Sequence, residues 1–187
     1  MVKLYADLAI KNKEAKIVWK KTIECKSFVR QFLEILLTQM GQFYVSSKDT
    51  DGTSINLRPR NENYKVNAGS GDANFGIVVG TGNTAPTIND YNLESKISHG
   101  TGAGQLQYGA VTFGEPTCDA SSCHFTITRD FSNSSGAEIV VYEIGLICCA
   151  VDGGNDKALI IRDVISAGIS IPNGQTLTIN YRIKVVV

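Results

Sequence analysis

The chain has 187 residues with 18 Lys+Arg against 18 Asp+Glu, so its formal net charge is zero, which excludes a basic surface built for nucleic acid and an acidic solvating tail. With 43% hydrophobic and only 19% charged residues, the composition is that of a folded globular protein, and a chain of this size buries about 70% of the surface its unfolded form exposes. Many glycines, serines, threonines and asparagines call for numerous tight turns.

Residues 2–10 and 14–22 carry β-formers separated by Lys11-Asn12-Lys13, the pattern of a strand, a polar turn and a second strand. No apolar stretch near the N-terminus has the length of a secretory h-region, and no run approaches a membrane span, so the expectation is a soluble protein made in the cytoplasm. From Ser27 to Met40 the period changes to three and four, through Phe28, Val29, Phe32, Leu33, Ile35, Leu36, Leu37 and Met40. This predicts one helix over 27–40, with Ser27 as N-cap and Gly41 as the residue that stops it. Its apolar side covers more than half the circumference, so it needs cover on several sides, either from its own sheet or from a neighbouring subunit.

Beyond Gly41 the pattern is β throughout. Runs at 42–46 and 53–57 flank a turn containing Asp51-Gly52, a hairpin signal. Residues 59–74 are polar and Gly-rich and read as a long loop. Short strands follow at 75–79, 105–113, 123–131, 137–148, 158–164 and 177–187. In the last, Leu177, Ile179, Tyr181, Ile183, Val185 and Val187 share one face, and Thr178, Asn180, Arg182 and Lys184 the other. The same alternation assigns Phe125, Ile127 and Phe131, and Val140, Tyr142, Ile144 and Leu146, to core faces. Half-wet strands separated by turns, without crossover helices, predict a mainly β chain: an antiparallel β-sandwich of jelly-roll type with one N-terminal amphipathic helix. The organisation expected is an N-terminal segment 1–41 holding two strands and an anchoring helix, and a sandwich over 42–187, folded as one unit.

Chemistry finds little purchase in this sequence. Gly80-Thr81-Gly82-Asn83-Thr84-Ala85 follows a strand and matches the dinucleotide fingerprint superficially, but Pro86 comes at once and no amphipathic helix opens there. His99 sits in a turn, and His124 alternates with Phe125 and should face solvent. Cys118, Cys123, His124 and Cys148 or Cys149 have no zinc-site spacing. Asp49, Asp51, Asp152 and Asp156 occupy Gly-containing turns without the closing ligand of a calcium loop. Asn133-Ser134-Ser135 is a formal glycosylation sequon that matters only after export. Cys118 and Cys123 are the one pair placed for a local bridge, and free thiols in a reducing compartment are the alternative. The expectation is a protein without catalytic residues, cofactor or metal.

Several segments resemble a family of virion proteins of tailed bacteriophages and related viruses. They are Ser27–Leu36 in the helix, Gly76–Pro86 before Asp90–Leu93, His99–Ala110, Phe125–Gly136, Glu143–Leu146, and Ile161–Val164 ahead of the closing strand. The likeness covers the helix and nearly all of 75–187, and leaves the first 22 residues, the 59–74 loop, the Cys118–Cys123 segment and Cys148-Cys149 unmatched. It implies a non-enzymatic structural protein of the virus particle, located in the virion after synthesis in the host cytoplasm. Head decoration, capsid stabilisation and a tail or baseplate accessory role all fit. Its partners would be copies of itself and other capsid or tail proteins, with neither nucleic acid nor membrane. Phe28, Phe32, Ile35, Leu36 and Met40 are then the candidate assembly interface. The competing reading is a receptor- or carbohydrate-binding module at a fibre tip, in which Tyr44, Tyr64, Tyr91 and Tyr108 stack on the sugars of a host-surface glycan.

Overall fold

The computed structural model describes residues 2–149 and 156–187. Its elements in chain order are β1 (Val2–Lys11), β2 (Ile17–Cys25), α1 (Arg30–Gly41), β3 (Val45–Lys48), β4 (Ser54–Leu57), β5 (Gly76–Gly80), β6 (Gln107–Tyr108), β7 (Thr112–Phe113), β8 (Thr117–Cys118), β9 (Ser122–Ser132), β10 (Ile139–Cys149), β11 (Lys157–Ile171) and β12 (Thr176–Val186). A 7-stranded sheet runs β2-β1-β12-β9-β6, with β7 and β8 also on β9, and a 3-stranded sheet runs β11-β10-β5. Every strand pairing is antiparallel, and buried residues of both sheets form one core. The chain is an antiparallel β-sandwich, as the alternating segments predict. Strand β9 leaves the large sheet, β10 and β11 form a hairpin in the small one, and β12 returns beside β9.

Alternation translates directly into transverse rows across the large sheet. Ile10, Leu177 and Phe131 lie side by side, as do Ala6, Tyr181 and Ile127, and Leu4, Ile183 and Phe125. The row between them contains Leu8, Ile179 and Arg129, so an arginine occupies a core position. The apolar face of β12 fades toward its end, where Val185 and Val187 are exposed. The small sheet is covered on both sides, which is why Ile77, Val78 and Val79 of β5 are all fully buried despite the absence of alternation.

The structure revises several expectations. Strand β1 lies between β2 and β12, and its Leu4, Ala6, Leu8 and Ile10 belong to the core. The helix begins at Arg30 rather than Ser27, with Val29 as an N-cap that has no side-chain cap bond. Residues 27–29 instead extend the small sheet: Val29 N–H donates to the Ile160 carbonyl at 3.2 Å, and Arg162 N–H to that of Ser27 at 3.1 Å. Sheet pairing has outcompeted a local cap. At the other end Gly41 is still helical and Gln42 takes the left-handed position, φ 55°. The exposed Phe43 ring folds back over Gly41, where a Cβ would lie 2.1 Å from it.

On β10 the register shifts between Val141 and Glu143. The bulge buries Ile139 and Val141 in place of Val140 and Tyr142, while Ile144 and Leu146 are buried as expected. The 105–113 strand is broken into β6 and β7, and β11 runs on to Ile171. The Asp51-Gly52 hairpin forms between β3 and β4, with Gly52 N–H donating to the Asp49 carbonyl at 2.9 Å. The 59–74 segment is a loop that still sends Val66 and Ala68 into the core. The turn at 151–156, with Asp152, falls outside the described residues except for Asp156.

Candidate functional site

Helix α1 is held against β11 and the β3–β4 hairpin. The row it buries is Gln31, Ile35 and Thr38, and Gln31 Oε1 and Thr38 Oγ1 have no hydrogen-bond partner there. Its apolar row faces out: Leu33 is 62% exposed, Leu36 37%, Leu37 51% and Met40 77%, and beside them Phe43 and Tyr44 are also exposed. Spacings of three, four and seven place these four residues on one face. The orientation is fixed from several sides. Tyr64 Oη donates to the Phe32 carbonyl at 2.6 Å, Ser47 Oγ to Glu34 Oε2 at 2.6 Å, and Gln39 brackets Arg60 by accepting from its N–H at 2.9 Å and donating to its carbonyl at 3.1 Å.

Between the helix and the large sheet lies an apolar cleft of about 410 Å³, walled by Phe28, Phe32 and Leu36 on one side and Phe113, Phe125 and Ile183 on the other. Leu36 and Phe113 stand exposed at its mouth, so cleft and helix face form one apolar surface. Of the expected interface residues, Met40 and Leu36 lie on that surface and Phe28 and Phe32 line the cleft. Ile35 is corrected: it is fully buried in its own core and unavailable to a partner.

Segments Gly76–Pro86, Asp90–Leu93, Glu143–Leu146 and Ile161–Val164 meet elsewhere, in a buried clamp. Glu143, with no exposed surface, accepts from the N–H groups of Gly82 (3.1 Å), Glu94 (3.0 Å) and Ser95 (2.7 Å) and from Arg162 Nε (2.9 Å). Arg162 reaches on to Asp90 at 2.7 Å and Glu94 at 3.7 Å. The anion cradled by the Gly80–Ala85 turn is therefore the protein's own carboxylate. The loop so fixed covers the outer face of the small sheet, with Leu93 seated on Gly145, where a Cβ would lie 2.9 Å from its Cδ2. Burial acts to raise the Asp90 carboxyl, but hydrogen bonds from Thr87 and Arg162 outweigh it and hold the group below the usual carboxylate range.

Arg129 is a second fixture. It is fully buried and donates to the carbonyls of Gly109, Phe75, Ile77, Gly69 and Asp72, with its guanidinium 4.8 Å from the Tyr108 ring centre. Burial lowers its pKa to about 10. The signal in the sequence was a charged residue at the one break in the Phe125, Ile127, Phe131 alternation.

The remaining candidates resolve into structural roles. His99 is exposed and its Nδ1 accepts from the Tyr108 N–H at 3.1 Å. His124 lies opposite Lys184 and Thr117 on the large sheet. Cys118 and Cys123 are joined as a disulfide, while Cys25, Cys148 and Cys149 are free and buried. Asp51 accepts from the Thr53 N–H and Asp49 from the Lys157 N–H, and among the described residues no group of His, Cys, Asp and Glu is placed to hold a metal ion. Asn133 is buried, with its amide donating to Ala137 and Ile171 carbonyls. Of the four tyrosines, Tyr108 is buried and Tyr64 partly buried, whereas Tyr44 and Tyr91 are exposed with Arg58 and Lys48 over their rings. Among the described residues no helix is long and apolar enough to cross a membrane. Comparison with protein-family models, curated proteins and solved structures finds no match to the chain.

Proposed function

We propose that the chain is a non-enzymatic structural component of a virus particle, a head decoration or tail accessory protein that works by packing against copies of itself and other particle proteins. The observation that carries this reading is the outward apolar row Leu33, Leu36, Leu37 and Met40, continuous with the aromatic cleft. A free surface protein gains nothing from turning its leucines to water while burying Gln31 and Thr38, and contiguous exposed apolar patches mark interaction surfaces. The sequence segments behind the virion resemblance act as fold fixtures through Arg129, Glu143 and Arg162, which suits a scaffold role.

Quantitative mass spectrometry of gradient-purified particles of the encoding virus tests the proposal. The chain is expected at many copies per particle, with Leu37→Glu and Met40→Glu excluded although folded. A chain found only in the soluble fraction of the lysate overturns it. A second reading, a glycan-binding module at a particle surface, draws on the exposed Tyr44 and Tyr91 rings. Glycan-array binding lost in Tyr44→Ala and Tyr91→Ala but kept in Leu37→Glu would favour it over the first.

A further inference from the structure

Resting on that assembly reading, we propose that β2 is the strand through which two copies of this chain join edge to edge, antiparallel, about a two-fold axis at Thr22. The other long strands have outer edges that are covered or broken: β11 is covered only at Ile160–Arg162, and beyond Asp163 it is interrupted by its register shift against β10 and by Gly168 at φ 65°. Residues 27–29 run along β11 through the Phe28–Ile161 bridge, and residues 95–97 along β5 through the Gly80–Lys96 bridge and the Ile97 N–H to Val79 carbonyl bond of 2.9 Å. The far edge of the large sheet is broken into 2-residue strands. Among the described residues β2 is the one long strand bonded on a single side, to β1, whose register is unbroken, from Trp19 to Cys25. A row of unpaired backbone donors and acceptors is a template for another strand.

Strand β2 also overhangs the second layer. Its register with β1 places Trp19, Lys21, Ile23 and Cys25 on the inner face beside Ile10, Leu8, Ala6 and Leu4. Those β1 neighbours are buried, yet Trp19 is 37% exposed. Of these four only Cys25 is buried, and the indole is left partly open to a neighbour.

Charge selects the occupant. Lys20 points from the wet face and Lys21 from the inner face, and lysines on an edge oppose indiscriminate strand addition. A partner strand must therefore set an acid against Lys20. A second copy does so: pairing about Thr22 puts Lys20 opposite the partner's Glu24 and Glu24 opposite the partner's Lys20, with Thr22 on Thr22 and Trp19 against Cys25. A two-fold axis normal to the sheet keeps wet face beside wet face, so residue pairs share parity. Centring on Lys20 or Lys21 sets lysine on itself, and centring on Ile23 sets Lys20 on Lys26. Exposed ion pairs contribute little attraction, so here they fix register, while strand bonds and the covered Trp19 hold the copies together.

Sedimentation equilibrium on the full chain over a wide concentration range is the test. A dimer is expected, with Lys20→Glu and Glu24→Lys each raising its Kd at least about tenfold and the doubly swapped chain restoring it, because like charges directly opposite disfavour pairing. Amides of 18–24 should gain hydrogen-exchange protection in the dimer. A chain monomeric at every concentration, or association indifferent to the single swaps, overturns the pairing. Association that ignores the swaps but disappears in Leu37→Glu overturns it while leaving the particle reading intact. A swap-sensitive dimer absent from purified particles supports the pairing and overturns the particle reading.

Discussion

Replacing Glu143 by glutamine keeps the shape of the side chain and removes its charge. Oε1 can go on accepting from Gly82 and Ser95, but the new amide nitrogen faces the Glu94 N–H, formerly bonded at 3.0 Å, and Arg162 Nε, formerly at 2.9 Å. Two buried donors then confront a donor, and the guanidinium, whose side chain is only 3% exposed, keeps Asp90 as its one close carboxylate. Breaking a buried, hydrogen-bonded ion pair from one side costs about 3–5 kcal/mol. At roughly 2–4 °C per kcal/mol for a chain of this length, Tm should fall by about 6–20 °C. The assay is calorimetry joined to amide exchange, in which Gly82, Glu94 and Ser95 should lose protection before the sheet strands do. Glu94→Gln, at the exposed end of the network, should have a small effect by comparison. A loss below about 1 kcal/mol for Glu143→Gln, or unchanged protection at those amides, would refute the clamp.

Other outcomes follow from the same structure. Arg129→Leu strands buried carbonyls and should cost about 3–5 kcal/mol by urea titration, and Arg129→Lys should not restore it, because an ammonium cannot span the carbonyls that a guanidinium fork reaches. The Asp90 carboxyl is held low by the balance described above, so its contribution is complete above the unfolded carboxylate range and lost as pH falls through the folded value. Asp163 runs the other way: burial raises it, so its share of stability falls as pH rises. Urea midpoints between about pH 3 and 6 should therefore show a flatter acid limb in Asp90→Asn and a steeper one in Asp163→Asn. Burial pushes the Cys25 thiol up, and that of Cys148 up to about 12. Native alkylation followed by intact-mass measurement should accordingly leave every cysteine unmodified until denaturant is added, after which Cys25, Cys148 and Cys149 react and Cys118 and Cys123 do so only after reduction.

What could be read without coordinates was whatever a period of two or a turn residue encodes locally. Leu177, Ile179 and Tyr181 each had to face the core because one face of a half-buried strand must be apolar, and Asp51-Gly52 had to turn the chain. Those regularities define an antiparallel, mainly β protein. The facing of the helix was not legible, because a helix apolar over more than half its surface satisfies its own pattern in many orientations. Only the seating of Ile35 between β11 and the β3–β4 hairpin chose one, and that choice sent Leu33, Leu37 and Met40 to solvent. Ser27 lost its capping role to a strand 135 positions away, a distance no local signal spans. Likewise Glu143 and Arg162 are ordinary charged residues in sequence. They become a clamp because adjacent strands and a covering loop exclude water from both, and exclusion from water is a property of the assembled layers rather than of any segment within them.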